Sequence, residues 1–272
     1  MKIAILGMGW YGRPLAKALQ ERHNVWGSTR SEAKCAQLRA EGLKAHTLHL
    51  DPQWQAAEGF MDDWKDSGLL VLNLPPGRGS QEAEDSYHKK MLEIQKALSE
   101  SSISRMIFVS STGVFGSGEG DCHEDSEVYP DRPAGRALHR AEQFWLQGFS
   151  GDVHVIRPGG LVGPGRHPGR FLAGRKDLSG KRHPVNFIHL DDLIAMTVAV
   201  IEQNPERKIF HAVAADHPAK EEYYAGTAAK MGLERPEFDQ GDESPGKRIL
   251  SEPSRAALDL ILSYPSPWDM LP

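Results

Sequence analysis

A short apolar run, Ile3-Ala4-Ile5-Leu6, leads straight into Gly7-Met8-Gly9-Trp10-Tyr11-Gly12, and Pro14-Leu15-Ala16-Lys17-Ala18-Leu19 continues at once in a helix-compatible pattern. A G-x-G-x-x-G turn wedged between a first strand and a first helix leaves few folds open. Its glycines have separate jobs: Gly7 permits the tight turn, Gly9 lets the backbone approach a pyrophosphate, and Gly12 lets helix and strand pack closely. The phosphates then fall at the helix N-terminus, where free N–H groups and the helix dipole favour anions. Trp10 and Tyr11 either flank a bound dinucleotide or pack in the core. A purely structural turn is the alternative, and the position at the head of a strand–helix pattern argues against it.

Short apolar runs then recur between longer helical patterns. Strands are expected at Lys2–Leu6, Asn24–Gly27, Ala45–His49, Leu69–Leu74, Met106–Ser110 and Val153–Arg157, and helices at Tyr11–Arg22, Glu32–Glu41, Glu82–Ser99, Ala134–Gln147 and Leu190–Gln203. In the third of these helices Tyr87, Met91, Ile94 and Leu98 recur at spacings of three and four, as one buried face requires. Leu69-Leu70-Val71-Leu72 is a run without alternation, the signature of a strand buried on both faces. Alternating strands and helices imply an α/β chain with a doubly wound parallel sheet of Rossmann type and right-handed crossovers. The pattern breaks at Gly159–Pro184 and weakens after Asp216. The expected division is therefore a dinucleotide-binding part at 1–158 and 184–214, and a smaller substrate-side lobe at 159–183 and 215–272.

The chain's 272 residues are ample for such a core. A net charge of −5 argues against a nucleic-acid partner. The two cysteines, Cys35 and Cys122, are far apart and outline no disulfide framework. Cys122-His123, among Asp121, Glu124 and Asp125, reads as a solvated acidic loop, with metal binding the lesser alternative. The longest largely apolar run, Leu69–Pro76, is far too short to span a membrane, and a strand beginning at Lys2 leaves no room for a signal peptide. A cytoplasmic protein is the expectation.

Cofactor choice rests on the end of the second strand. About 20 residues beyond the glycine turn, an acidic residue would take the ribose hydroxyls of NAD. Here the chain reads Trp26-Gly27-Ser28-Thr29-Arg30-Ser31, with no acid before Glu32. Hydroxyls from Ser28 and Thr29 and the planar fork of Arg30 suit a 2′-phosphate, so NADP(H) is favoured and NAD(H) stays open. A helix N-cap at Ser28 or Ser31 is compatible with either. Leu74, Pro75 and Pro76, ending the fourth strand, would line the cofactor trough with backbone. Arg166, His167, Arg170, Arg175, Lys176, Lys181, Arg182 and His183 crowd the stretch between Gly165 and Pro184 against Asp177 alone. In an acidic chain this concentration marks either a solvated basic loop or an anion site, with Arg166, His167 and Arg170 the candidate substrate contacts.

Four further segments carry a family resemblance. Ile107-Phe108-Val109-Ser110-Ser111-Thr112-Gly113-Val114-Phe115-Gly116 resembles the strand-and-serine signature of the extended short-chain dehydrogenases. Pro133-Ala134-Gly135-Arg136-Ala137-Leu138-His139-Arg140-Ala141-Glu142 matches the frame of their catalytic helix. Arg157-Pro158-Gly159-Gly160-Leu161-Val162-Gly163-Pro164-Gly165 looks like their Arg-Pro…Gly-Pro-Gly turn, and Val185–Leu193 is similar to their strand and helix start near the lobe junction. As a set these resemble the YeeZ-like branch of the NAD-dependent epimerase/dehydratase group, a set of atypical members. The resemblance implies a dinucleotide trough that includes Asp51 at the adenine, Ser110 and Pro158, with Ser111 as the active-site hydroxyl.

The departures are as informative. The family's catalytic pair is Tyr-x-x-x-Lys, the tyrosine acting as acid/base and the lysine lowering its pKa and holding the nicotinamide ribose. The register set by Gly135-Arg136 and Ala141-Glu142 puts Ala134 at the tyrosine and Leu138 at the lysine, and no Tyr-x-x-x-Lys occurs elsewhere in the chain. Residues at i and i+4 share one helix face, so both functions are lost from the same side. Tyr129, in a loop that could fold back, and His139, about 100° round the helix from the vacated face, are the nearby substitutes, with structural or solvent-exposed roles the favoured alternative for both. Two functions follow: an atypical oxidoreductase or epimerase-like enzyme on a small anionic or sugar-like substrate, or a non-catalytic dinucleotide sensor or scaffold. Asp51-Pro52 reads equally well as a helix N-cap followed by Pro at the first position, and His189–Asp192 as a cap that ties the lobes.

Overall fold

The structure, a computed structural model, describes residues 1–270 apart from 52, 78 and 79. Its centre is a sheet of β1 (Lys2–Leu6), β2 (Asn24–Thr29), β3 (Lys44–His49), β4 (Gln55–Ala56), β5 (Leu69–Leu72), β6 (Arg105–Val109), β8 (Asp152–Pro158) and β11 (Ile209–Ala212). The spatial order is β11-β8-β6-β5-β1-β2-β3-β4, and every pairing is parallel except β3 with β4. This is the doubly wound arrangement the alternation predicts. Strand order reverses between β1 and β5, which is where open α/β sheets bind ligands, beyond the carboxyl ends of their strands.

Alternate side chains of each strand serve opposite faces. Ile3 and Ile5 of β1 join a core with α1 (Gly12–Leu19), α2 (Glu32–Ala40) and α7 (Leu190–Gln203). Ala4 and Leu6 join the other, with α3 (Phe60–Lys65), α4 (Gln81–Leu98) and α5 (Pro133–Gly148). The residues of α4 picked out by periodicity, Tyr87, Met91, Ile94 and Leu98, are its buried face. Both faces of β5 are buried, as its unbroken apolar run requires.

Several elements were hidden from the sequence. β11 contains a histidine, His211, which masks a short strand. The segment after Asp216 carries α8 (Lys220–Lys230), whose Tyr223 and Tyr224 pack with Val185 against Phe187 and Trp268. Parallel pairs β9 (Gly160–Val162) with β10 (Phe187–His189), and β7 (Gly120–Cys122) with β12 (Lys247–Ile249), lie outside the main sheet, as do α6 (Gly169–Leu172) and α9 (Glu252–Ala257). No helix starts at Asp51. The chain turns there into β4, the next helix is capped by Gly59, and the Asp51 carboxylate instead meets Ser86 Oγ and Lys90 Nζ of α4, each at 3.3 Å. Pro52 lies outside the described residues. The N-cap reading of Asp51 is thus corrected.

His189 does cap α7, its Nδ1 accepting from Asp191 N at 3.2 Å. Buried Asp192 accepts from Ser263 N at 2.7 Å and Tyr264 N at 3.0 Å, tying the C-terminal segment to α7. Among the described residues no helix is long and apolar enough to cross a membrane.

Candidate functional site

The turn from β1 into α1 is pinned on two sides. Gly7 has φ +109°, and a Cβ there would lie 2.1 Å from the Asn73 carbonyl oxygen at the end of β5. A Cβ on Gly12 would lie 2.2 Å from the Gly7 carbonyl oxygen. At Gly9, by contrast, a Cβ would meet nothing within 4 Å, so that glycine opens onto free space. Asn73 completes the clamp, donating from Nδ2 to the Gly7 carbonyl at 3.1 Å while its own N–H donates to Leu6 O at 2.9 Å. Its residue type, a lone polar side chain directly after four apolar strand residues, was the available signal.

Among the described residues the backbone N–H groups of Trp10, Tyr11 and Gly12 donate to no protein acceptor, whereas Gly9 N–H turns back to Gly7 O at 2.8 Å. Three free donors at a helix start, beside an open glycine, form a cradle that fits a diphosphate. The Tyr11 side chain takes no part in it. Its ring is buried in the core and its hydroxyl meets Thr197 Oγ1 of α7 at 2.6 Å, which leaves only its backbone N–H to offer to a ligand. Burial also pushes the phenol pKa up, out of range for proton transfer. Trp10 is partly buried on the same core, with its indole N–H donating to Pro164 O at 2.9 Å.

At the end of β2, Ser28 is buried and its carbonyl accepts from Met8 N at 2.8 Å. Thr29 is half-buried and Arg30 exposed, and Ser31 is the residue that caps α2, accepting from Lys34 N at 3.3 Å. On the opposite side of the switch point, the Leu74 carbonyl is taken by the Tyr87 hydroxyl at 2.9 Å, Pro75 is exposed, and Pro76 borders a crevice with Ala83, Glu84, Pro133 and Ala134.

The face of α5 that carries Leu138 is packed. Leu138 is 7% exposed and belongs to the core that α5 shares with α4. Ala134 is half-buried in the crevice beside Pro76. Tyr129 is 66% exposed, and a hydrogen bond with Glu127 holds its phenol above the ordinary pKa, opposite to the shift a catalytic tyrosine needs. Ser111 caps the 3-10 turn Thr112–Phe115 through Gly113 N at 3.0 Å and keeps its own O–H free to donate. The neighbouring Ser110 hydroxyl is buried without a partner, its backbone N–H bonded to Ile156 O at 2.8 Å.

Behind that turn lies a network that sequence reasoning quoted in pieces but did not assemble. Arg157 of β8 grips Glu142 of α5 with both forks, Nε to Oε1 at 3.0 Å and Nη2 to Oε2 at 2.7 Å, and both side chains are buried. Burial pushes the Glu142 carboxyl up, but the hydrogen bonds and charge of Arg157, with His139 Nδ1 3.9 Å away, outweigh it and hold the group below its ordinary pKa. Glu124, also buried, accepts from Ser254 N at 3.1 Å and from the Ser254 hydroxyl of α9. Pro158 is buried beside Ala212 of β11. Its place is at the sheet's carboxyl edge, after the arginine that holds α5.

Arg166, His167 and Arg170, adjacent in the basic stretch, do come together. With Gly163–Gly165, His189, Met231 and Met270 they line a cleft of about 420 Å³. The cleft adjoins the glycine turn, since Pro164 holds the Trp10 indole and the Arg166 guanidinium lies 5.2 Å from the Trp10 ring centre. Other members of the basic stretch are spent on acids: Lys176 on Glu237 at 3.2 Å, and Lys181 and Arg182 on Glu243, each at 2.7 Å.

Comparison with known proteins agrees with this geometry. Residues 3–214 match the NAD dependent epimerase/dehydratase family. Protein YeeZ of Escherichia coli strain K12 is 34% identical over 98% of this chain and 96% of its own length. Among solved structures, UDP-glucuronic acid 4-epimerase from Bacillus cereus, in complex with NAD, superposes with a TM-score of 0.78 at 16% identity, covering 99% of this chain and 94% of that one. A protein of Methylobacillus flagellatus described as a NAD-dependent epimerase/dehydratase gives 0.73 at 22% identity, with 97% and 94% covered. The chain belongs to the NAD dependent epimerase/dehydratase family.

Proposed function

We propose that the chain binds a nicotinamide dinucleotide, NADPH in preference to NADH, across the carboxyl edge of its sheet, and admits a small anionic molecule to the adjoining basic cleft. The observation that carries this reading is the contrast within the glycine turn: Gly7 and Gly12 have no room for a side chain against protein, and Gly9 has room that only a ligand would fill. The diphosphate sits on the N–H groups of Trp10, Tyr11 and Gly12, and Thr29 and Arg30 take the 2′-phosphate. In this reading 1–158 and 184–214 form the dinucleotide-binding part, and 159–183 and 215–272 the lobe that faces the second ligand.

A bound nicotinamide supplies a hydride donor or acceptor. The chain's own groups then have limited work. Arg166 and Arg170 hold a carboxylate or phosphate, and Ser111 donates its hydroxyl to a carbonyl or hydroxyl oxygen. Neither Ala134 nor Leu138 moves a proton or lowers a pKa, so ordinary carbonyl and sugar-nucleotide turnover lacks its acid/base. The burial of Leu138 favours, as a second reading, a dinucleotide sensor without chemistry.

Titration with NADPH and NADH by nicotinamide fluorescence tests the binding reading, and absence of binding of either would overturn it. A substrate panel with the native chain and Ser111→Ala separates the two readings. Turnover that drops in the variant establishes an enzyme using Ser111, and tight binding with no turnover establishes the sensor.

A further inference from the structure

The dinucleotide cradle and the basic cleft are joined by one residue. Trp10 directly follows the open Gly9, and its indole N–H donates to Pro164 O at 2.9 Å. Pro164 belongs to a tight turn closed by Gly163 N–H to Arg166 O at 3.3 Å and Arg166 N–H to Gly163 O at 2.9 Å. The fit is close, because a Cβ on Gly163 would lie 3.2 Å from the Trp10 ring. From that turn Arg166 extends to within 5.2 Å of the indole centre, and it also lines the cleft. Trp10 therefore touches both the turn, through its indole N–H, and the guanidinium, through its ring.

The cleft holds an anion donor besides its arginines. His167 Nδ1 accepts from Gly169 N at 3.1 Å, so its Nε2 carries the proton when the ring is neutral. That Nε2 is buried with no acceptor among the described residues. Burial, followed by the charge of Arg170, holds the imidazole below its ordinary pKa, which keeps the neutral N–H form at neutral pH. An unmatched donor in the wall of a cleft that also carries two arginines calls for an acceptor from outside.

We infer that Trp10 is a positioning residue that couples the two sites, so that a dinucleotide in the cradle tightens the binding of an anionic group between Arg166, Arg170 and His167. The inference rests on the proposed dinucleotide and anion sites. Its physical basis is that both ligands order the same contact: a diphosphate against Gly9–Gly12 fixes Trp10, and a fixed Trp10 presents Arg166. By reciprocity the anion must tighten the dinucleotide by the same factor.

The experiment measures NADH affinity by nicotinamide fluorescence with and without inorganic phosphate at constant ionic strength. NADH is used so that phosphate does not compete for the 2′-phosphate contacts. Phosphate should tighten NADH in the native chain by roughly fivefold or more, within the usual range for coupled sites. Arg166→Ala should lose the phosphate effect, read as the ratio of its own NADH affinities with and without phosphate. Trp10→Leu should lose the effect too, and Trp10→Phe, which keeps a ring under Arg166, should retain part of it. Phosphate that weakens NADH alike in the native chain and Arg166→Ala, or has no effect on the native chain, would overturn the anion subsite and the coupling with it. Phosphate that tightens NADH equally in the native chain and Trp10→Leu would leave the subsite standing and overturn the role of Trp10. Failure of NADH to bind at all would strike the dinucleotide reading itself.

Discussion

The glycine turn and the face of α5 contrast: one is held open by glycines and the other is packed with apolar side chains. At the turn every constraint is kept: Gly7 and Gly12 lie against backbone, Asn73 clamps the loop, and Gly9 faces open space. On α5 the corresponding face is packed: Leu138 lies in the core, Ala134 lines a crevice, and the helix is held by the buried Arg157–Glu142 pair at its back. The difference teaches what each kind of site would need from its side chains. A backbone cradle depends on absent side chains and is lost by adding one, whereas an acid/base pair depends on two present side chains and is lost by packing over them.

The sharpest way to break this comparison is Gly9→Val. The added Cβ meets no atom of the described residues within 4 Å, so thermal stability should change little while dinucleotide affinity falls on the order of a thousandfold. Gly12→Ala should do the reverse at first, costing about 1–3 kcal/mol of folding free energy through contact with the Gly7 carbonyl. Fluorescence titration beside thermal melts reads both, and equal behaviour of the two variants would remove the distinction between ligand-facing and protein-facing glycines.

Restoring a lysine on α5 probes the other half. Because Leu138 is buried among apolar neighbours, Leu138→Lys should destabilise the fold by about 3 kcal/mol in urea unfolding, as burying an unpaired charge does. A stable variant with tighter NADH binding would show instead that this face still belongs to the cofactor.

Acid should loosen the α5 side. His211 lies in β11 near Glu124, Arg157 and Glu142, and burial holds its pKa down at about 4. The unfolded chain takes up that proton near pH 6.5, so this contribution is complete above pH 6.5, is lost as pH falls towards 4, and changes no further below. The loss is at most about 3 kcal/mol. Urea unfolding across this range should show a flatter pH dependence in His211→Asn, and an unaltered slope would assign the acid sensitivity to other groups.

The smallest effect concerns cofactor choice. Arg30→Ala should reduce the preference for NADPH over NADH by about ten- to a hundredfold, one charge-assisted hydrogen bond being worth roughly 1.5–3 kcal/mol. Equal affinities for the two cofactors in the native chain would remove Arg30 from the cradle.

Much of the fold was legible because its signals are local. Six of the sheet strands and five helices lie within a few residues of where apolar runs and periodicity put them, and α7 begins and ends where the pattern does. The strand after α7 and the helix after Asp216 were not, since His211 interrupts one apolar run and the tyrosines of α8 pack against residues far away in sequence. The candidate site was legible in part. Gly7, Gly9 and Gly12 stand out by spacing alone, and Arg166, His167 and Arg170 by charge. Asn73 and the Trp10–Pro164 contact did not stand out, because each joins segments 66 and 154 residues apart.

By itself the sequence determined the layered α/β plan, the glycine turn and the absence of any Tyr-x-x-x-Lys motif, because strand alternation, helix period and residue identity are properties of neighbours along the chain. Only the tertiary structure decided that Tyr11 is a core residue, that Tyr129 faces solvent, that Leu138 is buried, and that three basic residues share one cleft beside the dinucleotide turn. Those outcomes depend on which surface is covered by a distant segment, and burial of that kind has no local signature.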